Sequence, residues 1–289
     1  MATTAEWIEG ARPRTLPAAV APVMVGTGAA ADLGSASPAR AALAAGVALA
    51  LQVGVNYAND YSDGIRGTDR VRSGPMRLTG SGAATPAAVR AAAFGSFAVA
   101  GVFGVVLCAV SGAWLLLIAG VGAVAAAWGY TGGRNPYGYR GLGEVSVFTF
   151  FGLVAVLGTT FTQAGRISWA AFAGAGGIGL IACALLMANN IRDIPTDADS
   201  GKLTLAVRLG QSRARATFVA FLVAPLALAV MLAPEHPWAL LTLLLAVPVW
   251  RLARTVLGGA TGLDLIPVLR DTGLLELGYG LGLGVALAL

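Results

Sequence analysis

A series of apolar stretches, each about as long as a bilayer is thick, constrains this chain more than any other feature. Blocks such as Ala41 to Val55 and Trp114 to Trp128 carry no charged side chain. At about 20 residues per helical crossing, nine spans are expected, near 15–31, 39–58, 87–110, 112–131, 144–164, 168–188, 214–232, 238–257 and 272–289. Transmembrane β-strands need stretches of about ten residues that alternate apolar and polar side chains, and these blocks do not alternate. Only 11% of residues are charged and 57% are hydrophobic, against roughly 25% charged in soluble domains. Too little polar surface remains to face water. The expected fold is all-α and polytopic, a single domain over residues 1–289 embedded in the lipid bilayer. Met1 to Gly10 does not read as a cleavable leader, so the first span is expected to be retained.

Lys and Arg set the orientation. With a cytoplasmic N-terminus, 17 of the 19 basic residues fall on the cytoplasmic side, and only Arg40 and Arg166 fall outside. The net charge of +5 is thereby accounted for by membrane topology, and no nucleic-acid partner is expected. A multi-pass protein of the cell membrane is expected, with its chemistry on the cytoplasmic face.

Several catalytic classes are disfavoured. His236 is the only histidine and lies on the opposite side, which argues against histidine-based catalysis or a zinc site. Cys108 and Cys183 sit in apolar runs without a CxxC pattern and read as small buried residues. No candidate serine nucleophile has a neighbouring base. The GAGGIG run at 174–179 lacks the strand of a dinucleotide fingerprint and reads as a close helix-packing surface.

Two cytoplasmic segments, Asn56 to Thr85 and Asn189 to Gln211, hold six of the 14 acidic residues. Each follows an even-numbered span, which points to an internal repeat with halves near 1–140 and 141–289. On a helix, Asn56, Asp60 and Asp63 share one face, and Asn189, Asp193 and Asp197 nearly repeat the pattern. Carboxylates so close together repel one another unless a cation or a basic partner neutralises them. Oxygen ligands suit Mg2+, which binds a few carboxylates together with substrate phosphates. Arg66, Arg72, Arg192 and Lys202 lie nearby and can hold phosphate oxygens. The alternative is that these residues only cap helix ends and turns. Pro195 is expected to kink the second helix or to release Asp197 from it. A third segment, Thr131 to Glu144, combines turn-forming glycines with Arg134, Tyr137, Tyr139 and Arg140. It can bind an aromatic acid or a phosphate, or it can be an ordinary interfacial loop. Glu144 reads as a cap or an intramembrane carboxylate.

These residues together resemble the UbiA superfamily of intramembrane aromatic prenyltransferases. NDYSD at 59–63 and NNIRDIPTD at 189–197 look like its two aspartate-rich motifs. ARPRTLPAA at 11–19, NYANDYSDGIRGTD at 56–69, YTGGRNPYGYRGLGE at 130–144 and GKLTLAVRLG at 201–210 resemble the branch that prenylates 1,4-dihydroxy-2-naphthoate, with loss of carbon dioxide, in menaquinone biosynthesis. The resemblance spans almost the whole chain. It implies a nine-helix bundle in which Asp60, Asp63, Asp193 and Asp197 hold Mg2+. Asn56, Asn59, Arg66, Arg72, Asn190, Arg192 and Lys202 would then bind the diphosphate of a polyprenyl diphosphate. Arg12, Arg134, Tyr137, Tyr139 and Arg140 would contact the acceptor. Where many members carry a third aspartate in the first motif, this chain has Gly67, with Asp69 two positions on.

Three other readings remain open at this point. A sister prenyltransferase acting on 4-hydroxybenzoate, homogentisate or a sugar phosphate would share the metal motifs and differ at the acceptor. A secondary transporter would place its charges near the bilayer midplane, whereas these acids gather at one edge. A non-catalytic membrane scaffold would have no need of so many oriented charges.

Overall fold

A computed structural model describes residues 2–67 and 76–289. Of the residues singled out above, Asp69 and Arg72 lie outside the described residues. The described chain is helical throughout: α1 (Thr4–Ala11), α2 (Pro17–Asp32), α3 (Pro38–Arg66), α4 (Pro86–Ser111) and α5 (Leu116–Thr131) form its first part. α6 (Gly143–Val147) runs through a π-helical stretch, Phe148–Val154, into α7 (Ala155–Ala164). α8 (Trp169–Asp199) and α9 (Leu205–Leu232) follow. A 3-10 stretch, Pro237–Leu245, leads into α10 (Ala246–Leu257), and α11 (Leu265–Ala288) ends the chain.

All nine expected apolar segments coincide with helical rods, and six of the rods are long and apolar enough to cross a membrane. These are α3, α4, α6 with α7, α8, α9, and the 3-10 stretch with α10. At 16 residues each, α2 and α5 reach only about 24 Å, short of a hydrocarbon core of about 30 Å.

The largest departures from expectation are at the polar ends. α3 continues to Arg66 and stops where Gly67 adopts φ 76°, a left-handed cap that suits glycine. Asp60 and Asp63 therefore lie on the helix with Asn56, as their spacing implies. α8 passes through Pro195 without a break and ends at Asp199, so Asp197 stays on the helix and the expected release does not occur. Proline removes only one amide donor there, and the helix stops within a turn.

Two large cores divide the bundle, with a small third cluster of Val23, Ala44 and Leu107 between α2, α3 and α4. One joins α2, α7, α8, α9, α10 and α11 around Val25, Ile178, Phe218 and Leu283. The other packs Tyr57, Leu78, Phe97 and Ala127 from α3, α4, α5 and the segment between α3 and α4. The acid motifs belong to different cores, one at the end of α3 and one at the end of α8. Small residues let the helices meet. Gly174 faces Val25, Gly177 faces Tyr279 and Gly179 faces Phe148 and Gly152, so the GAGGIG run is a packing surface. At Gly280 an added Cβ would come 2.8 Å from the Ala21 backbone. Gly280→Val is expected to push α11 off α2 and lower stability by roughly 1–3 kcal/mol. An unchanged thermal midpoint in detergent would contradict that crossing.

Candidate active site

Side chains from α3, the α5–α6 connection and the α8–α9 connection converge at one end of the bundle. Tyr139 stands at their centre. It lies on a 3-10 turn, Tyr137–Arg140, which the backbone ties to the α8–α9 connection through Leu203 N donating to Tyr139 O at 2.9 Å. The Tyr139 hydroxyl donates to Asp63 Oδ1 at 2.9 Å. The Arg66 guanidinium lies 5.3 Å from its ring centroid and the Lys202 ammonium 5.5 Å, both within cation–π range. Lys202 Nζ in turn reaches Asp197 Oδ1 at 3.3 Å. A chain of contacts, Asp63 to Tyr139 to Lys202 to Asp197, thus spans the gap between the two acid motifs.

Asp63 and Asp197 are both buried, and each has a basic side chain against it. Arg77 lies 3.8 Å from Asp63 Oδ2. Asp193 is held at both oxygens by its neighbour Arg192, at 2.7 and 2.8 Å, and Arg192 also donates to Asn189 Oδ1. Asn59, one turn before Asp63, accepts a hydrogen bond from the Thr131 hydroxyl at 2.8 Å. Among the described residues no three His, Cys, Asp or Glu side chains form a group that could hold a metal ion. A cation here needs further oxygens from a ligand.

Four expected site residues are engaged elsewhere. The Asp60 carboxylate accepts the backbone amides of Leu78 and Thr79, both at 2.8 Å. It fastens Leu78 and Thr79 onto α3 at the edge of the second core. Asn56 donates to Ala11 O and to the Thr15 hydroxyl, so it holds the corner between α1 and α2. The Tyr137 hydroxyl donates to Ala126 O and lies 2.8 Å from the Ser146 hydroxyl. Burial holds this phenol above its ordinary range, which the Ser146 contact partly offsets. Asn190, on α8, donates to Glu144 Oε1 at 3.1 Å.

Arg134 and Arg140 are exposed on the loop rim. Arg66 is exposed too and donates to Gly133 O. Arg12 takes a left-handed backbone, φ 54°, at the α1 C-cap, with one terminal nitrogen buried.

Sequence reasoning missed Arg77 and Tyr130. Arg77 lies 14 positions beyond Asp63, with no periodic relation to it. Tyr130 lies in the last turn of α5, edge-on to the Tyr137 ring with centroids 5.6 Å apart and packed against Gly143. In the sequence it is one more aromatic at a helix end, where the membrane interface already explains it.

The arrangement gathers acids from two helix ends around a bridging tyrosine, with basic side chains against the acids and others exposed nearby. Such a group of side chains suits a polyanion together with a divalent cation. Comparison with known proteins agrees in kind. Residues 19–260 match the model of the UbiA prenyltransferase family. The 1,4-dihydroxy-2-naphthoate octaprenyltransferase of Mycobacterium tuberculosis is 52% identical over 288 residues, covering 100% of this chain and 98% of that one. The Escherichia coli protein of the same name is 37% identical over 278 residues, covering 93% and 90%. Among solved structures, a UbiA homolog from Aeropyrum pernix superposes with TM-score 0.71 at 18% identity, covering 94% of this chain and 96% of that one. One from Archaeoglobus fulgidus, bound to DMAPP and Mg2+, gives 0.70 at 14% identity, covering 98% and 99%. The two structures speak for the fold alone. With the family model matching most of the chain and full-length relatives above half identity, this chain belongs to the UbiA prenyltransferase family.

Proposed function

We propose that the protein transfers a polyprenyl group from polyprenyl diphosphate to 1,4-dihydroxy-2-naphthoate, with loss of carbon dioxide, as a step of menaquinone biosynthesis. The observation that carries this reading is the run of contacts from Asp63 through Tyr139 and Lys202 to Asp197, which joins the two acid motifs at one place. The relatives, 1,4-dihydroxy-2-naphthoate octaprenyltransferases by name, suggest the acceptor. Nine spans with a cytoplasmic N-terminus in the cell membrane complete the reading. So does a division near residue 140, since one acid motif ends α3 and the other ends α8.

The donors suit Mg2+. They are carboxylate oxygens on two walls, and in this structure basic side chains neutralise them. Asp63, Asp193 and Asp197 would hold the ion, which supplies charge neutralisation for the departing diphosphate. Lys202 and Arg77 sit against the carboxylates and Arg66 at the rim, so all three can turn to the diphosphate oxygens as the donor enters. Asn59 lies on the face of Asp63 and can add an amide. The allylic chain would run from the cleft toward the apolar interior, where helix walls exclude water. Tyr139 separates the walls and keeps their charges apart until the diphosphate arrives. Excess EDTA is expected to abolish turnover and Mg2+ to restore it. Full activity in EDTA would remove the metal from the account.

A further inference from the structure

Glu144 is a buried carboxyl that the diphosphate site does not use. It starts α6, and its Oε1 accepts from Asn190 Nδ2 at 3.1 Å. Its Oε2 is enclosed and has no hydrogen-bond partner. A buried carboxyl oxygen left unmatched costs stability, and a purely structural cap would not need it.

Its position is informative. Cys183 Sγ donates to Glu144 O at 3.2 Å. Cys183, Asn190 and Asp197 are spaced by seven residues, so they share one face of α8. Glu144 therefore packs along the face that leads to Asp197. It sits at the level of Asn190, about 4.5 Å along the axis from Asp193 toward the apolar interior. In the reading proposed above, that is the side of the acids on which the allylic chain would lie. Tyr130 borders the place, since the α6 backbone at Gly143 packs against its ring and hydroxyl.

A carboxylate repels diphosphate and also the acceptor's own carboxylate, and an isoprenoid chain offers no hydrogen-bond donor. Of the groups expected in this cleft, only a ring hydroxyl of an aromatic diol matches the unpartnered oxygen. Resting on the function proposed above, we infer that Glu144 Oε2 binds a ring hydroxyl of the aromatic acceptor and takes its proton while the new carbon–carbon bond forms. The proton account closes. The bond from the allylic carbon to the diphosphate oxygen breaks, diphosphate leaving with the electron pair, and the allylic carbon bonds to the ring carbon bearing the carboxylate while the adjacent hydroxyl gives its proton to Glu144 and becomes a carbonyl. The bond to the carboxylate then breaks and carbon dioxide leaves. The electron pair of that bond restores the aromatic ring, and the oxygen recovers its proton. Asn190 is a positioning residue, holding Oε1 so that Oε2 faces the ring.

The test uses the full chain in nanodiscs with Mg2+, a polyprenyl diphosphate and two acceptors, 1,4-dihydroxy-2-naphthoate and its 1-O-methyl ether. In Glu144→Gln the amide oxygen keeps the Asn190 bond and turns an NH2 donor toward the hydroxyl. The expected result is a loss of about 100-fold in kcat/KM for the diol, with the Kd for the diphosphate donor changed less than twofold. Wild type should lose a similar factor on the methyl ether, and the variant should lose nothing more there. Wild-type turnover in Glu144→Gln, or losses that multiply on the ether, would overturn the inference. If Glu144→Gln does not accumulate, Asn190→Ala should raise the acceptor KM about tenfold without moving the donor KM, and an unmoved acceptor KM would overturn it. A wild-type protein inert toward the naphthoate but active on 4-hydroxybenzoate would instead sink the acceptor reading. Glu144→Gln would then be judged by its loss on that phenol.

Discussion

Asp63→Asn and Asp197→Asn are each expected to lower kcat by about 1,000-fold or more while moving the thermal midpoint little. Asparagine keeps the shape of the side chain. At position 63 its amide oxygen still accepts the Tyr139 hydroxyl, which now donates to Asp63 at 2.9 Å. The negative charge is lost, and with it the ability to share a cation with the opposite wall. Lys202, paired with Asp197 at 3.3 Å, lies at the cleft and can turn to water or diphosphate. The measurement is turnover across a Mg2+ titration, beside an unfolding scan of the same sample. Near-wild-type kcat in either folded variant would take that residue out of the cation site.

Asp60→Asn should behave in the opposite sense, with stability falling first. Two backbone amides, of Leu78 and Thr79, donate to its two oxygens, and Leu78 is fully buried in the second core. Hydrogen bonds to a charged group are worth about 1.5–3 kcal/mol each. Asparagine offers one oxygen, so one amide loses its acceptor and meets an NH2 group. A loss on the order of 2–4 kcal/mol follows, seen as a lower midpoint and faster proteolysis between α3 and α4. Activity would fall with the fraction folded, and the Mg2+ concentration for half-maximal turnover would stay put. A stable Asp60→Asn protein with a raised Mg2+ requirement would return Asp60 to the metal ligands.

The contrast between these neighbours marks the limit of what the sequence can convey. The i, i+4 and i, i+7 spacings place Asn56, Asp60 and Asp63 together, and all three are on α3. Their fates differ because their surroundings come from distant chain. Asn56 meets Ala11 and Thr15, Asp60 meets the backbone of Leu78 and Thr79, and Asp63 meets Tyr139. A backbone amide leaves no trace in residue type, so no pattern could have separated Asp60 from Asp63. The apolar rods were legible because each is a continuous local run, and the GAGGIG surface because small residues are its signal. The apolar signal stops near residues 58 and 188, whereas α3 and α8 run on to Arg66 and Asp199 through polar turns that hydrophobicity does not mark. The bridge through Tyr139 joins residues 76 positions apart, and only the packing of two cores brings them together.

The most direct test of the central claim is product analysis by mass spectrometry. The purified full-length protein in nanodiscs is given polyprenyl diphosphate and 1,4-dihydroxy-2-naphthoate, with 4-hydroxybenzoate in a parallel reaction, with and without Mg2+. The account predicts a decarboxylated prenyl-naphthoquinol, or its quinone after air oxidation, formed only with Mg2+ and only from the naphthoate. Prenylated benzoate alone, or no prenylated product from a folded, Mg2+-loaded sample, would contradict it.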